Sequence, residues 1–205
     1  MFRLCLSLAV AFVLWFLMFS PLTAPHFDFW LTMSVAAALL TAAASLFGPA
    51  WWRRLRFSPS DLMLGLAIAV ALWAAFWVGD KVASELFDFA RPEVDAIYGI
   101  KEGIPAWGLS LLLLCLIGPA EEIFWRGYVQ ERLARQWGAT PGFLIATALY
   151  AAVHVASCNF MLTMAALVAG TVWGLGYRFF PQRFAALVLS HALWDAAVFV
   201  WFPIM

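Results

Sequence analysis

Three groups of ionisable residues sit in apolar surroundings, where each charge costs about 2.5–3.5 kcal/mol to insert into lipid. Residues 118–130, GPAEEIFWRGYVQ, place Glu121 beside Glu122, with Arg126 four residues after Glu122 on the same helix face. A guanidinium there holds one carboxylate ionised and leaves the other for water. Residues 150–157, YAAVHVAS, carry His154 in an apolar run, with Tyr150 one turn before it. Residues 190–195, SHALWD, put His191 and Asp195 at i, i+4, so that the carboxylate accepts from the imidazole and selects which ring nitrogen is left over. Taken singly, each group has a structural reading: an ion pair at a helix end, a packed histidine, a polar pair locking two helices. Taken together, they make a water-activating site of carboxylates and imidazoles inside a membrane.

The elements that position these residues are transmembrane helices. The chain is 65% hydrophobic and 12% charged, with 19 Phe and 12 Trp among 205 residues. Soluble domains average about 45–50% apolar and about 25% charged, so lipid is the solvent. The net charge of zero gives no field that would gather nucleic acid. Runs of about 20 apolar residues occur at 3–20, 29–48, 61–79, 105–125, 141–157, 160–178 and 184–203. The expected fold is therefore all-α, a polytopic transmembrane bundle of about seven spans forming one integral membrane domain over 1–205. Pro21 and Pro25, Gly48-Pro49, Gly79, Gly138 to Pro141 and Pro181 are the expected breaks, with a tight junction at Ser157–Asn159. Residues 2–19 read as an uncleaved first span rather than a signal peptide, because Pro21 and Pro25 crowd any cleavage site. Cys5, Cys115 and Cys158 have no metal-ligand spacing and read as packing residues.

With the N-terminus inside, the cytoplasmic side takes Arg3, Arg53, Arg54, Arg56, Arg126, Arg132, Arg135, Arg178 and Arg183, and the far side Lys81, Arg91 and Lys101. This 9-to-3 division of the 12 basic residues favours an inside N-terminus and an outside C-terminus. The acidic stretch 80–104 reads as an amphipathic interfacial segment, or as a lid or docking element above the site. If 105–136 is one helix that turns near Gly138, Glu121 and His154 both lie about 22–27 Å from that turn, level with each other on antiparallel neighbours.

The motif-bearing region, about 115–196, resembles the CAAX-protease and bacteriocin-processing family of intramembrane glutamic endopeptidases, which includes the type II CAAX prenyl endopeptidases. The resemblance rests on EExxxR (Glu121, Glu122, Arg126), an aromatic-x-x-x-His (Tyr150, His154) and HxxxD (His191, Asp195). Tyr150 stands where the family often has Phe, and Asp195 where the prenyl endopeptidases have Asn. The resemblance implies metal-free and cofactor-free hydrolysis of a peptide bond in a membrane-anchored protein or peptide. Glu121, assisted by His154, would activate the water, and His191, held by Asp195, would donate to the oxyanion. Glu122, Arg126 and Tyr150 would support them. Among the substrates of relatives, a C-terminal sorting signal in a bacterial inner membrane is favoured over a prenylated terminus. Rival readings are a zinc-dependent membrane protease drawing on Glu121, His154 and His191, a proton-coupled transporter, and a non-catalytic immunity protein.

Overall fold

A computed structural model of the protein describes residues 1–204. Seven helices are long and apolar enough to cross a membrane: α1 (Phe2–Phe19), α2 (Phe29–Phe47), α3 (Pro59–Leu86), α5 (Ala106–Trp137), α6 (Ala139–Ser157), α7 (Phe160–Phe179) and α8 (Pro181–Trp201). A short helix, α4 (Ala90–Gly99), lies between the third and fourth spans. The protein is an all-α polytopic bundle, with no strand among the described residues. Local chemistry starts several of the helices. Asp28 caps α2, its Oδ1 accepting from the Leu31 amide at 2.7 Å. Ser58 and Asp61 form a reciprocal capping box ahead of α3, with Pro59 in its first turn. Asn159 caps α7 after a left-handed residue at Cys158, which makes the α6–α7 junction as tight as expected.

Two helix boundaries differ from expectation. Gly79 does not end α3, which runs on to Leu86. A single glycine costs a helix only about 1 kcal/mol, and the apolar residues around it continue the span. The fourth span also passes Gly127 and reaches Trp137. Pro119, inside that span, has no amide to donate and would clash with the preceding turn. A π-turn at Leu113–Ile117 lies just before it, and a second at Trp125–Gln130 follows. Every residue from Ala120 to Gln130 is buried, so α5 is enclosed on all sides at the level of its two glutamates.

Half or more of the apolar stretches of α5 and α8 lie inside the bundle (50% and 61%), against 17% for α3. These two central helices cross where Gly118 meets Ala192, next to His191. A Cβ on Gly118 would stand 2.6 Å from the Ala192 Cα and 2.8 Å from its nitrogen. Small residues let membrane helices approach this closely. Gly118→Ala is expected to push α5 from α8, lowering stability by about 1–3 kcal/mol and impairing any chemistry that needs the two helices in register. Thermal unfolding in detergent checks the first effect; a variant as stable as the parent would refute this reading of the crossing.

At one end of the bundle, Arg54 donates to the Tyr177 hydroxyl and pairs with Glu131 at 3.3 Å, tying the α2–α3 connection to α5 and α7. Arg183 pairs with Asp61 at 3.1 Å, and Arg178 donates to Thr140 at 2.7 Å. Arg126 is not part of this basic end. It is 2% exposed in the middle of the bundle, so it gives no indication of topology, and 8 basic residues rather than 9 remain on that side. At the opposite end, α4 is clasped to both neighbours. Arg91 pairs with the buried Asp80 of α3 at 3.3 Å, and Glu93 accepts from the Met161 amide of α7 at 2.8 Å. Beyond α4, Lys101 donates to the Phe199 carbonyl at 2.7 Å, and burial holds its ammonium below the usual lysine pKa. All three cysteines are free thiols on the outer surface of the bundle.

Candidate active site

The three groups of residues singled out from the sequence meet where α5, α6 and α8 face one another. Glu122 is fully buried and is the hub. Its Oε1 accepts from Arg126 Nη1 at 2.8 Å and from His191 Nδ1 at 2.8 Å. Arg126 also donates to the Gly170 carbonyl at 3.1 Å and lies 4.7 Å from the Tyr150 ring and 5.5 Å from the Trp173 ring. A buried guanidinium is thus paired, hydrogen-bonded and flanked by aromatic faces, which is what lets it persist away from water.

Glu121 has a different environment. Its Oε2 accepts from the Tyr150 hydroxyl at 2.8 Å, a bond that Phe at this position could not make. The same oxygen lies 4.0 Å from His191 Nε2, and Asp195 Oδ2 lies 3.6 Å from that nitrogen. The expected hydrogen bond from His191 to Asp195 is therefore not formed. Glu122, on the neighbouring helix, takes Nδ1 instead, because the i, i+4 spacing on α8 brings Asp195 only to the far nitrogen. Since a carboxylate only accepts, Nδ1 carries a proton and Nε2 is the nitrogen turned toward Glu121 and Asp195. Trp173 stacks flat on the imidazole, with centroids 3.8 Å apart and planes at 12°, and is itself anchored by donating to Ser190 at 3.0 Å.

His154 completes the wall. Its Nδ1 lies 2.8 Å from the Tyr150 carbonyl oxygen, and its Nε2 3.2 Å from the indole nitrogen of Trp15 on α1. Trp15 and Trp173 were not anticipated. Each is one of 12 tryptophans in an apolar sequence, and neither has a charged neighbour in the chain to mark it. Among the described residues, no group of three His, Cys, Asp or Glu side chains is arranged to hold a metal ion.

These residues border a cavity of about 420 Å³ whose polar wall is Glu121, Tyr150, His154 and Asp195. Asp80 and Tyr98 also line the cavity; most of the rest is apolar, with Phe29 and Met33 of α2, Phe76 of α3, Ile97 of α4 and Met164 of α7 among the lining. The stretch 80–104 thus comprises the end of α3, the helix α4 and a turn, and α4 lies over the cavity.

Residues 103–197 match the family model described as Rce1-like, type II CAAX prenyl endopeptidase. This region belongs to the CAAX-protease family. The match covers the second half of the chain, from the start of α5 into α8, and contains every residue of the polar cluster except Trp15. No curated protein and no solved structure matches the chain. A CAAX-protease family region in a bundle of seven apolar helices indicates an integral membrane protease.

Proposed function

We propose that this CAAX-type protease is an intramembrane glutamic endopeptidase, with Glu121, His154, His191 and Asp195 as its catalytic residues and Glu122, Arg126 and Tyr150 in support. The observation that carries the reading is the convergence of Glu121 and Asp195 on His191 Nε2, within 4.0 Å, at the wall of one cavity. At those separations the groups do not bond each other directly, and a water or carbonyl oxygen beside them, on the cavity side, would bridge them.

In the proposed reaction, Glu121 takes a proton from water, and the hydroxide adds to the scissile carbonyl carbon. Tyr150 donates to Oε2 of that carboxylate and fixes its orientation at the cavity wall. His154 accepts at Nε2 to orient the same water. The oxyanion accepts from His191 Nε2–H; with Nδ1–H kept by Glu122, this step uses the doubly protonated ring, a form that the Glu121 and Asp195 carboxylates beside Nε2 favour. As the C–N bond breaks, Glu121 returns its proton to the leaving amine, and the two products depart with no net change at the enzyme. Glu122 and Arg126 orient His191 without touching substrate. The apolar cavity takes a membrane-anchored protein or peptide substrate. A C-terminal sorting signal is the preferred class, and a bacterial inner membrane with the N-terminus inside is the preferred setting.

The test is a cleavage assay on the purified protein in chelator-containing detergent buffer, with a substrate chosen from membrane proteins that lengthen when the gene is deleted. His191→Ala is expected to lose about 10²–10³ in rate, the usual cost of one oxyanion donor. Asp195→Asn should lose less than Asp195→Ala, since the amide still offers a polar partner 3.6 Å from Nε2. If Asp195→Asn is as inactive as Asp195→Ala, the carboxylate charge itself is required, and a proton carrier or metal ligand becomes the better assignment. Loss of all activity to the chelator would also overturn the metal-free mechanism.

A further inference from the structure

His154 is gripped from behind by the first span. Its two ring nitrogens have partners of opposite kind: the Tyr150 carbonyl oxygen at 2.8 Å from Nδ1, and the Trp15 indole nitrogen at 3.2 Å from Nε2. A carbonyl only accepts and an indole N–H only donates. Both bonds form together only in a neutral ring with its proton on Nδ1 and a lone pair on Nε2. Trp15 is 1% exposed, meets the imidazole edge-on with centroids 6.0 Å apart, and is braced against Trp125 at 6.4 Å. Phe19, one turn along α1, lies 5.6 Å from the same imidazole. The ring is thus enclosed by α1, which lies wholly outside the family-matched segment 103–197.

We propose that Trp15 is a positioning residue of the site, holding His154 in the Nδ1–H tautomer so that Nε2 remains an acceptor. The proposal rests on the assignment of His154 to the catalytic site. Without a donor at Nε2, the bond to the Tyr150 carbonyl is the one contact left to favour Nδ1–H, and the tautomer with its proton on Nε2 becomes more accessible. A ring protonated at Nε2 would offer a donor where a water being deprotonated by Glu121 needs an acceptor. Nδ1 cannot substitute, because it faces a backbone carbonyl. In the reaction the water inserts between the two rings: its O–H donates to Nε2 and its oxygen accepts from the indole N–H, so both groups keep a partner.

The chain has three histidines, so nitrogen-15 NMR of the histidine-labelled full-length protein in detergent reads the tautomer of His154 directly. The wild type is expected to show the proton on Nδ1. Trp15→Phe, which keeps an aromatic ring and removes the donor, is expected to move proton density to Nε2 and to lower kcat about tenfold, the scale of one hydrogen bond, with KM unchanged. A wild-type spectrum with His154 protonated at Nε2 overturns the proposal without recourse to any variant, and so decides the matter even if Trp15→Phe fails to fold. A folded Trp15→Phe that keeps the wild-type tautomer, or that changes tautomer without changing kcat, also overturns it. Failure of the protease assignment would instead appear as Glu121→Gln cleaving at the wild-type rate, and would leave the tautomer result standing.

Discussion

Glu121→Gln is expected to abolish cleavage while leaving the bundle intact. The amide has the shape of the carboxylate, and its carbonyl can still accept from the Tyr150 hydroxyl that lies 2.8 Å from Glu121 Oε2. What it loses is the ability to take a proton from water. General-base catalysis contributes about 10²–10⁴ in rate, so activity should fall by at least that range, with unfolding in detergent unchanged. Glu121 suits this variant because no guanidinium pairs with it: Arg126 is committed to Glu122, and the His191 imidazole stands 4.0 Å away, beyond hydrogen-bond reach. Cleavage by Glu121→Gln at the parental rate would remove Glu121 as the base.

Arg126→Ala should be the most destabilising single change in the cluster. It would leave Glu122, which is fully buried, with His191 as its one remaining partner, and would strip the Gly170 carbonyl of its donor. It would also empty the space between the Tyr150 and Trp173 rings. Breaking a buried ion pair by removing one partner costs about 3–5 kcal/mol, enough to lower the unfolding temperature markedly and to reduce the yield of folded protein. Activity should fall as well, because Glu122 is the group that holds His191 Nδ1. Replacing both partners with apolar residues of similar volume should restore much of the stability but none of the activity. If Arg126→Ala unfolds at the parental temperature, the pair contributes nothing to the fold, and its role is confined to the field around Glu122.

The membrane setting, the all-α class and the seven spans were legible in the sequence because lipid imposes a simple rule: about 20 apolar residues per crossing, with every backbone group satisfied inside a helix. The candidate site residues stood out for a related reason. An ionisable side chain in such a run is costly, so Glu121, Glu122, Arg126, His154, His191 and Asp195 are conspicuous by type alone. The i, i+4 pairing of Glu122 with Arg126 was also readable, since it depends only on helical period. Gly79 was misread because a glycine within an apolar stretch has the same appearance whether a span ends there or passes through.

Only the tertiary structure decided which carboxylate serves which imidazole. Helical spacing on α8 alone favours Asp195 as the partner of His191, yet the crossing of α5 and α8 at Gly118 and Ala192 brings Glu122 to Nδ1. The same limit hid Trp15. Its bond to His154 spans 139 positions of the chain, and nothing about an indole in an apolar helix tells which neighbour it will meet. Periodicity governs what lies on one face of one helix, whereas contacts between helices depend on which faces pack and how closely. Here that is set by small residues and π-turns whose effect appears only once the helices are side by side.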